Sequence, residues 1–456
     1  MPTLSVTSIP ENSYYSDNAN AMKNLNTRPA KPSLSELTSC MSDYDPHAVP
    51  VKQAQAIIRD CITPVTAIEK VALRSALDRV LANDIISPID VPAHDNSAMD
   101  GYAFNSTDLR AGADTVLAVA GTAHAGRAYQ GTPASGQAVR IMTGALMPEG
   151  LDTVIPQEFV GPGSAAGSVI VPAGAVKPGA NRRLAGEDLK AGSAAIVQGR
   201  ILRPADLGLL ASLGIAEIPV RRRLRVAFFS TGDELRSVGE ALDPGCVYDS
   251  NRYTLYGMLQ RLGCDIIDMG VVGDDPQALE SAFRSACENA DAIITSGGVS
   301  VGDADHTKQM MAQLGDVAFW KIGMRPGRPL AFGSIASNGK QALFFGLPGN
   351  PVAVMVSFYF FAREALLQMM GAQATPLPLM RATAAIAIRK RPGRTEYQRG
   401  ILSLNDGQWS VRPTAAQGSG ILRSMAEANC MIVLAHEQGD VAGGDAVEVI
   451  LFDGLI

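Results

Sequence analysis

From residue 220 to 370, short apolar runs alternate with longer segments whose apolar residues recur every three or four positions. This is the pattern of strands and amphipathic helices that follow one another through an α/β sheet. AFFS, CDIIDMGVV, DAIITS and ALFFG read as strands. NRYTLYGMLQRLG, PQALESAFRSACENA, HTKQMMAQLG and the apolar run 352–370 read as helices. The pattern predicts a doubly wound sheet over 220–372, in a chain whose fold class is α/β multidomain.

The texture changes on either side of that unit. Between 88 and 185 it turns to short β-like runs broken by Gly and Pro, among them TVLAVAGTA, QAVRIMTGALMPEG and TVIPQE, which predict an inserted β-rich domain. The flanking segments 46–87 and 186–219 hold three helix candidates: VKQAQAIIRDCITP, stopped by Pro64; VALRSALDRVLAND, over 71–84; and PADLGLLASLG. Together the two segments predict an elongated helical and strand-bearing stalk. Residues 373–456 return to alternating runs such as RATAAIAI, ILSL and AVEVILF, and predict a β-barrel-like C-terminal domain. Residues 1–45, rich in Ser, Asn and Pro and without apolar periodicity, read as a disordered extension with no secretory signal.

At 456 residues the chain exceeds one ordinary core, which agrees with several domains. Its 46% hydrophobic, 18% charged and 5% aromatic residues describe a well-buried aliphatic protein, and a net charge of −6 argues against general nucleic-acid binding. Six cysteines occur without CxxC or CxxH spacing, so neither a zinc site nor a disulfide framework is indicated; they read as thiols of a reducing, cytoplasmic setting. The most apolar run, 352–370, is cut by Arg363 and Glu364 and reads as a core helix rather than a membrane span.

The candidate chemistry lies where predicted strands run into loops. SGGVSVGDAD (296–305) follows a strand with Ser296 and the glycines Gly297, Gly298 and Gly302, which let backbone N–H groups approach an anion. It ends in Asp303 and Asp305, acids suited to a hard cation or to starting a helix. FSTGDEL (229–235) repeats the arrangement with Thr231, Gly232, Asp233 and Glu234. In KIGMRPGRP (321–329), Lys321, Arg325 and Arg328 sit on a Pro- and Gly-stiffened loop and suit tetrahedral oxyanions. GLPGNP (346–351) places Pro348 and Gly349 in a turn, Asn350 at an N-cap and Pro351 at the first position of a helix.

DNSAMDGYA (95–103), RIMTGALMPEG (140–150), GEDL (186–189), YDSNR (248–252), GDDP (273–276) and the loops above follow one another in an order that resembles the molybdopterin molybdenumtransferases, relatives of gephyrin's C-terminal domain. The resemblance runs from about residue 46 to the C-terminus. It implies the last step of molybdenum cofactor synthesis: molybdate enters the dithiolene of adenylylated molybdopterin, with magnesium present and AMP released. By that resemblance Asp100, Asp188, Glu234 and Asp305 are catalytic candidates, and Glu234, Asp274 and Asp305 are metal candidates. Thr143, Arg183, Asp274, Arg399 in YQRG and Ser419 in QGS join the loop residues as substrate-binding candidates. It also implies an elongated homodimer whose cleft is completed across subunits, with molybdopterin adenylyltransferase and molybdoenzyme delivery proteins as partners. Two departures stand out: RPGRP where relatives commonly carry KPGKP, and His306 where Tyr is common. Two alternatives stand beside this reading, a molybdopterin adenylyltransferase and a gephyrin-like scaffold.

Overall fold

A computed structural model describes residues 48–298, 310–311, 313–373 and 376–454. The expected extension 1–45 and the acids Asp303 and Asp305, with His306, lie outside the described residues.

Helix α1 (Val51–Cys61) forms as expected, burying Val51, Ala54, Ile57 and Ile58 along one face. Each large aliphatic side chain so buried contributes about 1.5–3 kcal/mol. Although α1 falls in the segment expected to form the stalk, it packs instead on the α/β unit. Gln55 Nε2 donates to Phe360 O at 2.9 Å, Arg59 pairs with Glu364, and Val49 bridges Ile322.

The second expected helix, 71–84, is absent. Ile68–Ala72 is a strand paired antiparallel with Glu217–Arg221, Leu73–Ser75 is a 3-10 turn, and Val80 and Leu81 bridge Ile201 and Val220. Helical spacing of the apolar residues is real, but a partner strand far along the chain takes the backbone hydrogen bonds, and Asp78 at φ 60° interrupts any helix. Helix α2 (Pro204–Ser212) completes this region, with Asp206 accepting from Arg203 N and pairing with Arg200.

The β-rich unit is a six-stranded mixed sheet built from Gly101–Phe104, Thr115–Ala123, Gln137–Ile141, Thr153–Pro156, Gly161–Pro162 and Ser168–Val171. In the α/β unit the strands are β1 (Arg225–Thr231), β2 (Asp265–Val272), β3 (Ala292–Ser296), β4 (Gly315–Lys321), β5 (Pro329–Ser337) and β6 (Lys340–Leu347), in sheet order β2-β1-β3-β6-β5-β4. The first four in that order are parallel, whereas β5 runs antiparallel to both β6 and β4. Two strands were therefore missed at the sequence level, 315–321 and 329–337, although Asn338-Gly339, with both φ positive, is the turn signal of the β5–β6 hairpin.

Alternate residues of β1 face opposite cores. Val226 and Phe228 pack with α3 (Ser250–Arg261), and Ala227 and Phe229 with α4 (Pro276–Asn289), which is the burial of both faces that a doubly wound sheet requires. Of the expected helix HTKQMMAQLG, residues 310, 311, 313 and 314 are described and helical.

The last long helix, α5 (Pro351–Met369), meets the length and composition of a membrane span but is 72% buried within the protein. A π-helical turn, Phe358–Ala362, interrupts it; the Phe360 carbonyl accepts from Gln55, and the Phe360 ring stacks on Tyr397 at 3.8 Å. Tyr397 belongs to the C-terminal unit, where Met380–Ala384, Thr395–Asn405, Gln408–Pro413, Cys430–Leu434 and Ala446–Leu451 close into a five-stranded barrel.

Candidate active site

The sheet order reverses between β1 and β3, so their C-terminal ends open a crevice at the topological switch point. On one wall, β1 ends in Thr231 and the turn Gly232-Asp233-Glu234, and β2 ends ahead of Gly273 and Asp274. Asp233 accepts from Asp274 N at 3.1 Å. Partial burial, and then the charges of Asp233 and Glu234, push the Asp274 carboxyl above its ordinary value. Asp275, not Asp274, caps α4 by accepting from Ala278 N, so the helix start leaves the Asp274 carboxylate uncommitted to capping.

The facing wall joins two loops. After β3, Gly297 and Gly298 take φ of 90° and 68°, and a Cβ on either would lie 2.6 Å from Thr231 O or 2.8 Å from Thr231 Oγ1. Only glycine fits this approach. Gly297 N donates to Leu347 O, and Gly297 abuts Gly349 in the loop before α5. Asn350 occupies the N-cap position of α5 without making a side-chain cap, and Pro351 is the first helical residue. Between the loops, Ser296 Oγ accepts from Asn251 Nδ2 at 2.8 Å. Beneath them Ser230 Oγ, Thr231 Oγ1, Asp249 Oδ2 and Asn251 Oδ1 are buried with no hydrogen-bond partner among the described residues. Four such atoms, two at the end of β1 and two at the start of α3, suit a polar ligand.

Cationic groups gather at the same edge. Because β4 runs parallel to β6, Lys321 and the loop after it emerge beside the start of α5. The loop is pinned to the barrel by pairing of Met324–Arg325 with Thr395 and Glu396. Gly327 is pressed against α5, where a Cβ would stand 2.6 Å from Ser357 Oγ. Arg328, exposed, accepts from Ile322 N through its carbonyl.

Arg399 is 1% exposed. Its guanidinium donates to Ser424 Oγ and to the carbonyls of Ala416 and Gly418, and no carboxylate among the described residues pairs with it. Burial, and then the charge of Arg325, lower its pKa to about 10. Gln417 holds the Arg399 backbone from both sides, and Ser419 O accepts from Val352 N in the first turn of α5.

A second group of candidates forms in the β-rich unit. Asp100 accepts from both N and Oγ1 of Thr143 at 2.7 Å; these bonds, backbone first, hold its carboxyl below the ordinary range. The DNSAMDG and MTGA segments are joined by Ser97 N to Ala145 O and Gly144 N to Ser97 O. Arg183 pairs in register with Asn96 and forms a 3.7 Å ion pair with Glu187. Asp188 stands exposed on the following turn. Asp95 pins this corner by accepting from Ala185 N and Arg182.

The comparisons with known proteins agree along the chain. Residues 49–214 match the MoeA N-terminal region (domain I and II), 227–368 the probable molybdopterin binding domain, and 381–452 the MoeA C-terminal region (domain IV). A molybdopterin molybdenumtransferase of Haemophilus influenzae is 43% identical over 406 residues, covering 89% of this chain and 98% of that protein. The chain belongs to the molybdopterin molybdenumtransferase family. It is thus a transferase of molybdenum cofactor biosynthesis, and matches at both ends of the chain disfavour the adenylyltransferase alternative.

Molybdopterin molybdenumtransferase 2 of Mycobacterium tuberculosis is 35% identical over 408 residues, covering 88% of this chain and 98% of that protein. The crystal structure of the molybdopterin biosynthesis moeA protein from Pyrococcus horikoshii superposes with a TM-score of 0.77 at 29% identity, covering 89% of this chain and all of that one. Within this molybdenumtransferase the candidates therefore fall into two groups, Asp100, Thr143 and Arg183 in the β-rich unit with Asp188 on the turn just after it, and the remainder at the sheet edge and the adjoining barrel, with Asp305 outside the described residues. Asn251 and Gln417 had no expected role from sequence. Both sit inside quoted motifs, yet only long-range contacts reveal what they hold.

Proposed function

We propose that this protein inserts molybdate into adenylylated molybdopterin with cleavage of the phosphoanhydride and release of AMP. The observation that carries the reading is Arg399, a guanidinium buried against neutral carbonyls and beside Arg325, which an oxyanion would neutralise. The start of α5 and the Ser419 loop lie next to it and suit the same ligand.

The acidic wall suits Mg2+, because a cation offsets both the partial burial and the charges of Asp233 and Glu234 that raise Asp274. Among the described residues no three acidic, imidazole or thiolate groups form a ready-made metal site. Mg2+ would accordingly be held by Glu234 and Asp274 together with substrate phosphate oxygens, as is usual for this ion, and would neutralise pyrophosphate charge. The chain's own residues orient the substrates: Gly297 and Gly298 admit a phosphate close to the backbone, the orphaned hydroxyl and amide groups fix polar ligand atoms, and Lys321, Arg325 and Arg399 collect the second anion. We further infer a homodimer in which the Asp100–Thr143 corner of one subunit completes the sheet-edge site of the other.

The test is AMP release from adenylylated molybdopterin on addition of molybdate, followed for wild type and Arg399→Met. Molybdate-dependent release by the wild type, with molybdate raising its Tm, and loss of both effects in the variant are expected. Release that is indifferent to molybdate would overturn the assignment.

A further inference from the structure

Asn251 is the second residue of α3, a place where a polar side chain ordinarily faces water, yet it is 8% exposed. Helix capping does not explain its burial, since the cap is Asp249, which accepts from Arg252 N. The Asn251 carboxamide instead spans the crevice floor. Nδ2 donates to Ser296 Oγ at 2.8 Å and to Gly349 O at 2.7 Å. Its orientation is fixed chemically, because a backbone carbonyl can only accept; a flipped amide would set two acceptors against each other.

The two partners belong to different loops. Ser296 ends β3 and opens the Gly297-Gly298 turn, and Gly349 lies in the loop that starts α5. One side chain therefore sets the spacing between the phosphate-side turn and the helix terminus at the oxyanion side. Asn251 Oδ1 is buried and has no partner among the described residues, which leaves it open to a polar group at the crevice floor.

We propose that Asn251 is a positioning residue of this transferase, whose carboxamide holds the Ser296–Gly298 turn and the Gly349 loop at the separation that brings the two anionic substrates into reacting distance. The inference rests on the reaction proposed above. Loss of the tie leaves each wall able to bind its own ligand but lets their separation vary, so turnover falls while single-ligand affinity holds.

Two variants of the full-length protein test it. Asn251→Ala removes the tie. Asn251→Asp keeps the volume but puts an acceptor against Gly349 O. Hydrogen exchange is expected to quicken about tenfold at amides 296–298, 349–350 and 352–354 in both variants, about 1.4 kcal/mol, with β3 amides 292–295 unchanged. In the AMP-release assay kcat is expected to fall about tenfold or more in both, with KM for adenylylated molybdopterin within about threefold of wild type. Wild-type exchange in either loop, a fully active Asn251→Asp, or a loss confined to KM would overturn the proposal. If the wild-type protein itself released no AMP, the reaction assignment would fall, and the exchange measurement would still judge the tie by itself.

Discussion

Two carboxylates with opposite shifts show how neighbours set chemistry at single positions. Asp100 is lowered by donors from Thr143, so the interaction is present above the unfolded carboxyl value near 3.8 and is lost as pH falls through the lower folded value. Replacing Thr143 by Val is expected to raise the Asp100 pKa, because the hydroxyl donor goes while the backbone donor stays; NMR titration of the side chain would read the change. Asp274 runs the other way. Its folded pKa is raised, so ionisation opposes folding in full above the raised value, and the penalty shrinks as pH falls from that value and is gone at about 3.8. Asp233→Asn removes a neighbouring charge and is expected to lower that pKa. In the wild type, Mg2+ affinity by calorimetry is expected to weaken as pH falls through it, as protons displace the ion.

Glycines in loops and in helices separate function from propensity at the level of elements. Gly297→Ala forces a Cβ to within 2.6 Å of Thr231 O at φ 90° and is expected to destabilise by more than about 1 kcal/mol in urea unfolding. Gly257→Ala, in α3 with nothing within 4 Å of the new Cβ and no unusual φ, is expected to stabilise by about 0.5–1 kcal/mol. Equal effects at the two positions would show that the turn after β3 can relax around a side chain. The π-helical turn in α5 makes a related point. Its Phe360 carbonyl and ring are occupied by α1 and by the barrel, so the irregularity joins three elements.

For the whole molecule, the grouping of candidates into two units leads to a complementation experiment. Asp100→Ala subunits and Glu234→Gln subunits, each inactive alone, would be mixed and allowed to exchange. If sites are completed across a two-fold axis, a mixed dimer holds one site with both lesions and one with neither, and activity returns toward about half of wild type per mixed dimer. If each site is built within one chain, every site keeps one lesion. Persistent inactivity after demonstrated exchange would exclude the shared site.

The sequence by itself determined the parts whose signals are local. Strand runs ending in Gly and acid, Pro351 at a helix start and the helical spacing of α1 each follow from propensity and period, and they put most of the candidates at strand and helix ends. Nine motifs in order then carried the family. What only tertiary structure decided are the cases where distant backbone or charge overrides a local pattern. Residues 71–84 lost their helix to a strand at 217–221; β4 and β5 formed a hairpin on the sheet; α1 docked on α5. Likewise no local pattern could show that Arg399 lies buried without a counter-ion among the described residues, or that the carboxamide of Asn251 reaches two loops 45 and 98 residues further along the chain. Hydrogen-bond partners and desolvation are set by what folds around a residue, and neither is written in the residues beside it.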